Sequence, residues 1–464
     1  MNRKTLKWIA VILLVAAFTL PFSAAAVAKG GKKAPALNPI IFVHGSSGSA
    51  AQFESQAMRF ASNGYPAELI TAYDYDTSVP LEVNEAEVYV GLDAHIAAVK
   101  ADTGAEQVYI LGHSRGTRVM HGYLAYPERA DNVAKYVNID GMSSTEPPGG
   151  VPTLSIIAGL GLGGEVGGAI NVTIPGQTHV QVASSPESFY YMYQFFTGME
   201  PATTDVIPQP RGQVRVAGRA VLVPQNVGVE GAMLQMWEVE AATGQRARKK
   251  PAASCVLGED GSWGPWKAKG GSSYEFVILR EGARPHHFYS EPLIRSDYLM
   301  RLNTSPPGGG VGAYLATGDG STNLVLTRDK EFWANVPGNS DVLEVGGTTL
   351  VGEAACPIGT SKVGIFIYDA PASIPPIPGT PDGISNITVP TWLHSIAFLT
   401  GIDFVIPAAI PPDSSVTVAL TPRGGGPSQV VNCPNFASSE HAVSIRFNDF
   451  SQEINTWPEY KMAR

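Results

Sequence analysis

Apolar residues between positions 39 and 197 alternate between short β-branched runs and longer stretches with helical spacing. Residues 40–43 and 108–111 are runs of the first kind, with the length and composition of buried strands. The longer stretches repeat apolar residues every three or four positions, as helices that cover a sheet do. Strands that alternate with helices in this way predict an α/β domain with a mostly parallel sheet.

Two helices in this region carry capping signals. Asn84 and Glu87 have the spacing of a capping box, which predicts a helix start at Asn84. Ser185 followed by Pro186 predicts the start of a later helix, and Gly198 predicts its end. We therefore expect one helix from residue 84 onward and a second helix between residues 185 and 198.

The pattern changes after residue 199, where the predicted α/β domain at 29–199 ends. Residues 200–211 are rich in proline and polar residues, and we interpret them as a linker. Beyond them, apolar residues recur at every second position in short runs separated by turn dipeptides, which is the period of β-strands. We expect an all-β region, a sandwich or a barrel, in two subdomains at 212–284 and 285–464.

The first 28 residues have the order of segments found in secretory signals. A basic start is followed by an apolar run at 8–20 and by small residues that end at Ala28, the expected cleavage site. The apolar run has about 13 residues, fewer than the roughly 20 that a membrane-spanning helix needs. We therefore expect an exported protein, secreted or periplasmic.

The charge of the chain argues against a nucleic-acid partner. The formal net charge is −9, and removal of residues 1–28 would take away three positive charges and no negative ones, which gives −12. An acidic surface of this kind repels phosphate groups. We therefore expect no nucleic-acid partner.

Ser114 is the candidate nucleophile. It stands between Gly112 and Gly116 in the segment GHSRG, directly after the predicted strand at 108–111 and before a stretch with helical spacing. A sharp strand-to-helix turn can lift a serine hydroxyl out of the edge of a sheet, and it brings backbone segments so close that glycines are needed. The short motif alone is weak, but its place between a strand and a helix makes it specific.

The base that activates Ser114 is expected to be a histidine. His44 belongs to the turn after the first strand, and His95 and His121 fall inside predicted helices. His179 instead follows a late predicted strand of the α/β domain, where parallel sheets present loops at their carboxyl edge. Elimination leaves His179 as the predicted base.

The carboxylate that orients the base has two candidates. Asp140 stands at the end of a predicted strand, and Glu165 lies in a glycine-rich segment further along the chain. We favour Asp140 because a strand end has a fixed position, whereas the composition around Glu165 indicates a mobile segment.

When a serine attacks an acyl carbon, the carbonyl oxygen becomes an oxyanion. Two backbone N–H groups are expected to stabilise this oxyanion. One belongs to Arg115, the residue after the nucleophile, and the turn after the first strand points to Ser46 for the other. Acyl transfer by such a set of groups requires neither a metal nor an organic cofactor. Asp74 and Asp76 are close in the chain, but they lack the spacing of a calcium-binding loop.

With these motifs in this order, residues 39–198 resemble bacterial and archaeal lipases and esterases of the α/β-hydrolase fold. The whole chain is similar in plan to lipases in which a compact hydrolase domain is followed by a C-terminal β-barrel or β-sandwich that helps to hold long acyl chains. The resemblance implies a secreted serine hydrolase of carboxylic esters, with acylglycerols as expected substrates at a lipid–water interface. It implies Ser114 as nucleophile, His179 as base, Asp140 as orienting acid, and Ser46 with Arg115 as oxyanion donors.

Two apolar segments bear on the substrate. Residues 153–170 lie near the predicted site, and residues 391–412 lie in the β region. Each can be a surface for lipid or part of a core, and for the second we favour the core. Two other functions stay open, namely a polyester- or cutin-degrading esterase with the same triad and a non-catalytic surface-binding protein on a hydrolase scaffold.

Overall fold

The computed structural model describes residues 37–334, 340–357, 359–372, 379–423, 426–448 and 450. The signal peptide predicted at 1–28 lies outside these residues. From Leu37 onward the chain forms one compact unit, in which an α/β part comes first and a β-rich part follows. Within the described ranges, no helix is long and apolar enough for a membrane span.

The α/β part is built on a parallel sheet with helices. Its strands are β1 (Ile40–Val43), β2 (Ile70–Tyr73), β3 (Val108–His113), β4 (Val133–Ile139), β5 (Thr153–Ala158) and β6 (Ile170–Ile174). Its helices are α1 (Glu54–Ser62), α2 (Leu81–Thr103), α3 (Arg115–Leu124), α4 (Pro127–Ala130), α5 (Gln181–Ser184) and α6 (Pro186–Thr197). The six strands pair in the order β2-β1-β3-β4-β5-β6, all parallel, which confirms the predicted fold class.

Hydrophobic cores cover both faces of this sheet. Because side chains alternate along a strand, Phe42 and Leu111 face the core shared with α1 and α6, whereas Val43 and Ile110 face the core shared with α2 and α3. The central strands β1 and β3 are buried along their whole length. Burial on both faces explains why they are continuous apolar runs in the sequence.

The strand order reverses beside β1, and this reversal creates the place for a site. The chain adds β2 on one side of β1 and then crosses to add β3 on the other side. At such a point, the loops that leave the carboxyl ends of adjacent strands diverge and open a crevice. The turn after β1 contains Ser46, and the turn after β3 contains Ser114.

The capping predictions had different outcomes in the two helices. Ser185 accepts a hydrogen bond at 3.1 Å from an N–H of the first turn of α6, and Gly198 ends that helix with a φ of 75°, as predicted. The predicted start at Asn84 is wrong, because α2 begins at Leu81 and Asn84 lies inside it with non-helical backbone angles. The Asn84 side chain donates to the carbonyl oxygen of Asp76 at 2.9 Å, a contact that no capping box provides.

In its described residues, the β-rich part contains three sheets. Its strands are β7 (Arg215–Leu222), β8 (Val227–Gly228), β9 (Met233–Val239), β10 (Ala253–Val256), β11 (Ser262–Lys267), β12 (Ser273–Leu279), β13 (His286–Ser290), β14 (Asp297–Thr304), β15 (Leu324–Thr327), β16 (Val342–Val345), β17 (Thr348–Thr349), β18 (Gly364–Tyr368), β19 (Leu399–Asp403), β20 (Ser415–Thr421), β21 (Gln429–Pro434) and β22 (Ala442–Arg446), with one short helix, α7 (Thr391–His394). An eight-stranded sheet has the order β10-β9-β12-β13-β22-β15-β18-β19. The smaller sheets are β11-β7-β14, with β8 beside β7, and β17-β16-β20-β21.

Each small sheet packs on one half of the large sheet. Val216 of β7 and Phe276 of β12 belong to one hydrophobic core, while Leu326 of β15 and Val418 of β20 belong to another. The arrangement is that of two sandwiches with a shared sheet, the first of the two architectures expected for this region.

The boundary predicted between residues 284 and 285 does not separate two sheets. Strands β12 and β13 form an antiparallel hairpin across it. Strand β22, near the end of the chain, lies between β13 and β15 and is parallel to both. The pieces 212–284 and 285–464 therefore share the large sheet, a pairing between distant segments that alternation within each strand does not reveal.

The apolar segment 391–412 forms α7 and β19. The side chains of Leu393, Ile402 and Ile406 are buried in the hydrophobic cores of the β-rich part, while Ile410 is 49% exposed. Most of the large apolar side chains of this segment therefore lie in a core or pack against one, in agreement with the favoured interpretation.

The two parts of the chain are packed against each other. Asn63 Nδ2 donates to the carbonyl oxygen of Thr203, and Arg59 Nε donates to that of Thr204, both at 2.8 Å, so the predicted linker at 200–211 is bound to α1. Leu299 of β14 belongs to the hydrophobic core of the α/β part. The β-rich part thus contributes directly to the interior of the α/β part.

Candidate active site

Ser114 occupies a strained turn between β3 and α3. Its φ of 53° and ψ of −122° are rarely adopted by residues with a side chain. A Cβ at Gly112 would lie 2.8 Å from the carbonyl oxygen of Gly116, and a Cβ at Gly116 would lie 2.7 Å from that of His44. Close backbone packing therefore requires both glycines, as expected for a turn that presents a nucleophile.

His179 lies between β6 and α5, and its ring joins Ser114 to Asp140. Nε2 of His179 is 2.9 Å from Oγ of Ser114, and Nδ1 is 2.6 Å from Oδ2 of Asp140. Because an ionised carboxylate only accepts hydrogen bonds, Nδ1 carries a proton and Nε2 is left to accept one from the hydroxyl. The structure therefore brings the predicted nucleophile, base and acid together in one hydrogen-bonded series.

Asp140 follows β4 and is held by backbone donors. Its carboxylate accepts hydrogen bonds from the N–H groups of Ala158 at 2.9 Å, Leu162 at 3.1 Å and Gly163 at 3.0 Å. Burial by itself would raise the pKa of Asp140, but the hydrogen bonds from His179 and from the backbone outweigh it and hold the pKa below its usual value. The carboxylate therefore stays ionised beside the imidazole.

The glycine-rich turn 160–163 wraps around this carboxylate. A Cβ at Gly163 would lie 2.5 Å from Cα of Asp140, so the close approach requires glycine. The turn contains no acid, and it contributes N–H donors that leave no side-chain signature in the sequence. Glu165 is exposed beyond the turn, and none of the contacts in the described ranges joins its carboxylate to His179.

The two predicted oxyanion donors lie next to the nucleophile in the fold. Arg115 is the first residue of α3, and Ser46 is in the turn after β1. A Cβ at Gly45 would lie 3.0 Å from Cβ of Ser114, so this turn passes directly beside the nucleophile. Among the described residues, neither the Ser46 N–H nor the Arg115 N–H donates to a protein acceptor. Both groups are therefore available to a substrate oxygen.

His113 is a site residue that the sequence patterns did not reveal. Its Nε2 donates to the carbonyl oxygen of His179 at 2.8 Å, and its Nδ1 accepts from Nε2 of Gln52 at 2.9 Å. Burial lowers the pKa of His113 to about 3, so the ring is neutral. The available signal was its place in GHSRG, at the end of a buried strand and next to the nucleophile.

His44 and Asp74, which lie outside the series of Ser114, His179 and Asp140, are hydrogen-bonded to other residues. Nε2 of His44 accepts from the N–H of Tyr75 at 3.2 Å. The Asp74 carboxylate accepts from Arg219 and Arg301 of the β-rich part, each at 2.8 Å. In the part of the chain that the structure describes, no group of three or more His, Cys, Asp or Glu side chains is arranged to hold a metal ion.

Comparison with protein families gives three matches along the chain. The Lipase (class 2) model matches residues 37–136, which include Ser114. The Lipase C-terminal domain model matches residues 212–307, and a further model of a C-terminal domain matches residues 310–451. The family matches therefore cover the start of the α/β part and most of the β-rich part.

Solved structures with similarity to the chain are distant from it. A CIB-like hydrolase from Thermoplasma acidophilum is 15% identical, with 35% of this chain and 87% of that chain covered and a TM-score of 0.27. Lipase B from Aspergillus fumigatus is 14% identical, with coverage of 36% and 54% and a TM-score of 0.28. Est1E from Butyrivibrio proteoclasticus, bound to ferulic acid, is 12% identical, with coverage of 35% and 91% and a TM-score of 0.26.

The sheet topology and the family matches agree with each other. A six-stranded parallel sheet with helices contains the match to Lipase (class 2), and the strand-rich remainder contains the match to the Lipase C-terminal domain. The chain therefore combines two parts typical of lipase-type hydrolases: an α/β part that matches the Lipase (class 2) family over residues 37–136 and a β-rich part that matches the Lipase C-terminal domain over residues 212–307.

Proposed function

We propose that this protein hydrolyses carboxylic esters through an acyl-enzyme formed on Ser114. The observation that carries the proposal is the hydrogen-bonded series from Asp140 through His179 to the Ser114 hydroxyl, with distances of 2.6 and 2.9 Å. A serine is a weak nucleophile at neutral pH, and an adjacent base that a carboxylate orients makes it reactive. The site contains these groups in the order that acyl transfer needs.

In the first step, Ser114 Oγ attacks the ester carbonyl carbon while Nε2 of His179 takes the hydroxyl proton. Asp140 keeps the ring in the required tautomer and stabilises the imidazolium that forms. The carbonyl oxygen becomes an oxyanion, and we assign its stabilisation to the N–H groups of Ser46 and Arg115. His179 then gives its proton to the alcohol, which leaves as the acyl-enzyme forms.

In the second step, a water molecule takes the place of the alcohol. His179 removes a proton from the water, which attacks the acyl-enzyme and releases the carboxylic acid and the Ser114 hydroxyl. His113 supports both steps, because its hydrogen bond holds the main chain of His179 at 2.8 Å. Because the His113 ring is neutral, it carries no positive charge that would repel the imidazolium of His179.

Acylglycerols with long acyl chains are the proposed substrates. Leu160 and Leu162 flank the carboxylate of Asp140, and their side chains are 55% and 89% exposed. Large exposed apolar side chains beside a site fit an apolar chain or a lipid surface. Hydrolysis of emulsified triglyceride, of a polyester film and of a short p-nitrophenyl ester separates the substrate classes. Faster hydrolysis of the polyester film than of the triglyceride would identify polyesters, and not acylglycerols, as the substrate class.

Export from the cell is also part of the proposal. It is supported by the basic, apolar and small-residue segments of residues 1–28. Sequencing of the N-terminus of protein from the culture medium is expected to begin at Lys29. Protein that stays inside the cell and retains residues 1–28 would contradict export.

The central test removes the nucleophile. We expect Ser114→Ala to lower kcat for a soluble ester by on the order of 10⁶-fold, because only binding and oxyanion contributions remain. A fluorophosphonate probe is expected to label wild-type protein in the peptide that contains Ser114. Ser143→Ala is the matched control, since Ser143 is exposed and lies close to the site in the chain. Equal activity in the two variants would show that Ser114 is not the nucleophile, whereas wild-type protein without activity or labelling would favour the non-catalytic surface-binding function.

A further inference from the structure

Glu331 of the β-rich part is buried against the loop that carries His179. Its Oε1 accepts a hydrogen bond from the N–H of Val180 at 2.8 Å. Its Oε2 accepts from the N–H of Gln181 at 3.2 Å and from the hydroxyl of Thr178. The side chain is 1% exposed. One carboxylate therefore binds residues on both sides of His179, although 151 positions separate it from Val180.

Among the described residues, the N–H groups of Val180 and Gln181 have no acceptor within their own segment. Val180 and Gln181 stand at the start of α5, where the N–H groups of the first turn have no helical carbonyl to bind. Side chains that cap such N–H groups usually come from the residue before the helix. Here the cap comes from another part of the chain. A buried donor that is left unsatisfied destabilises the fold, so the loop conformation depends on this carboxylate.

Glu331 is itself held by a buried charged network. Arg423 donates to the main-chain carbonyl of Glu331 and, at 3.1 Å, to the side-chain oxygen of Gln181. Asp341 accepts from Arg423 at 2.8 Å and from Arg328 at 2.9 Å. Burial would raise the pKa of Asp341, but the two arginines hold it at about 2. The network therefore stays charged, and it fixes both Glu331 and the loop.

Asn226 of the β-rich part reaches the turn on the other side of the nucleophile. Its Nδ2 donates to the carbonyl oxygens of Gly48 and Tyr75, both at 3.0 Å. Asn226 is 4% exposed, and its φ is 58°. Gly48 is two residues from Ser46, the proposed oxyanion donor. The β-rich part thus contacts the turn of the oxyanion donor as well as the loop of the base.

We propose that the β-rich part positions the catalytic groups, with Glu331 fixing the loop of His179 and Asn226 fixing the turn of Ser46. The inference rests on the proposed serine mechanism and gives the β-rich part a role in the chemical step. Neither residue has a described contact with Ser114, so both are positioning residues. Displacement of a catalytic group by about 1 Å can cost about 100-fold in rate, which makes such support measurable.

Glu331→Gln is the first test, because glutamine keeps the volume and replaces one acceptor oxygen by an amino group that faces a donor. Glu275→Gln is its matched control. Glu275 is also 1% exposed and lies in the β-rich part, bound to His287 at 2.5 Å and to Arg246 at 2.7 Å. On a soluble p-nitrophenyl ester, we expect Glu331→Gln to lower kcat by about 10- to 100-fold at unchanged KM. Glu275→Gln is expected to stay within about twofold of wild type.

Fluorophosphonate labelling and thermal unfolding distinguish positioning from stability. Folded Glu331→Gln is expected to be labelled more slowly than wild type by about the same factor as its kcat, whereas a purely structural role would change only the unfolding midpoint. A kcat within twofold of wild type, or an equal fall in the Glu275→Gln control, would overturn the inference while labelling of Ser114 still supports the esterase. Absence of labelling in wild type would contradict the esterase itself.

Asn226→Gly tests the second contact. Glycine accepts the positive φ at no steric cost, so the substitution removes the carboxamide without straining the backbone. We expect a fall in kcat of about tenfold at unchanged KM. If Glu331→Gln does not fold, Thr178→Val removes one of its three donors, and a fall of at least threefold in kcat is expected. Unchanged kcat in both Asn226→Gly and Thr178→Val would then overturn the inference.

Discussion

The α/β part and the β-rich part differ in how their interactions are distributed along the chain. In the α/β part, the turn of Ser114 is shaped by two glycines within the same five-residue motif. In the β-rich part, β22 pairs with β13, and Glu331 binds Val180 across 151 positions. Local patterns are visible in a sequence, whereas contacts between distant segments are visible only after folding. Local patterns therefore predict more of the α/β part than of the β-rich part.

The two parts also differ in what we assign to them. The α/β part supplies the atoms that would react, and the β-rich part supplies groups that hold those atoms in place. With this assignment, we expect substitutions at the interface between the two parts to lower activity.

The largest effect is expected for the acid within the α/β part. Asp140→Asn should lower kcat by on the order of 10⁴-fold, because an amide no longer selects the required tautomer of His179. Glu165→Gln should leave kcat unchanged, since Glu165 is exposed and has no described contact with His179. Steady-state kinetics on one soluble ester measures both variants. The reverse order of effects would make Glu165 the acid.

An intermediate effect is expected at the interface. Arg301 of β14 donates to Asp74 of the α/β part at 2.8 Å, and both side chains are buried. Arg301→Met should lower the free energy of unfolding by about 3 kcal/mol, because it leaves a buried carboxylate with one partner fewer. Arg248→Met is the control, since the pair of Arg248 with Glu238 is largely exposed on the arginine side, and it should cost less than about 1 kcal/mol.

Chemical denaturation followed by fluorescence and by circular dichroism measures this difference. We expect one transition with both probes, because the two parts share a hydrophobic core through Leu299. Separate transitions, or equal stability of the two arginine variants, would show that the parts are independent and would break the comparison.

The smallest effect is expected in the pH dependence of stability. Burial raises the pKa of both Glu54 of α1 and Asp297 of β14, although Arg446 lies 3.3 Å from Glu54. The protonated carboxyl therefore stabilises the fold most below the ordinary pKa of 4.5, and this contribution is lost as the pH rises through the raised pKa. Glu54→Gln cannot lose a proton, so the fall in unfolding free energy should become shallower by about 1 kcal/mol per pH unit.

Denaturation at pH 5, 7 and 9 measures how steeply the free energy of unfolding falls as the pH rises. Glu165→Gln serves as an exposed control. An unchanged slope in Glu54→Gln would mean that the interface carboxyls ionise as they do in water.

Much of the fold followed from the sequence, because burial on both faces leaves continuous apolar strands such as β1 and β3. The start of α2 did not, since a side-chain contact between Asn84 and Asp76 replaced the expected cap. The pairing of β12 with β13 across the boundary predicted near residue 284 did not follow either, because alternation defines a strand without naming its partners. Sheet order in the β-rich part is a property of the whole chain.

The candidate site divides in the same way. His179 lies 65 positions from Ser114, and Asp140 lies 39 positions from His179, yet the architecture of a parallel sheet brings loops at its carboxyl edge together. That general rule, together with the GHSRG motif and the elimination of other histidines, favoured these three residues and left Glu165 as a rival to Asp140. No such rule indicates His113, Asn226 or Glu331, whose partners are mostly backbone groups. Backbone donors and acceptors are the same in every residue, so the sequence carries no sign of them.

The sequence by itself determined the α/β class, the β-rich character of the second part, and the residues whose chemistry suits an esterase. Each of these depends on a local pattern or on the chemical type of a side chain. Tertiary structure alone decided the sheet shared across the β-rich part, the donors around Asp140, and the contacts of Glu331 and Asn226 with the two loops. The physical reason is that these depend on distances between segments far apart in the chain, which only the packed molecule defines.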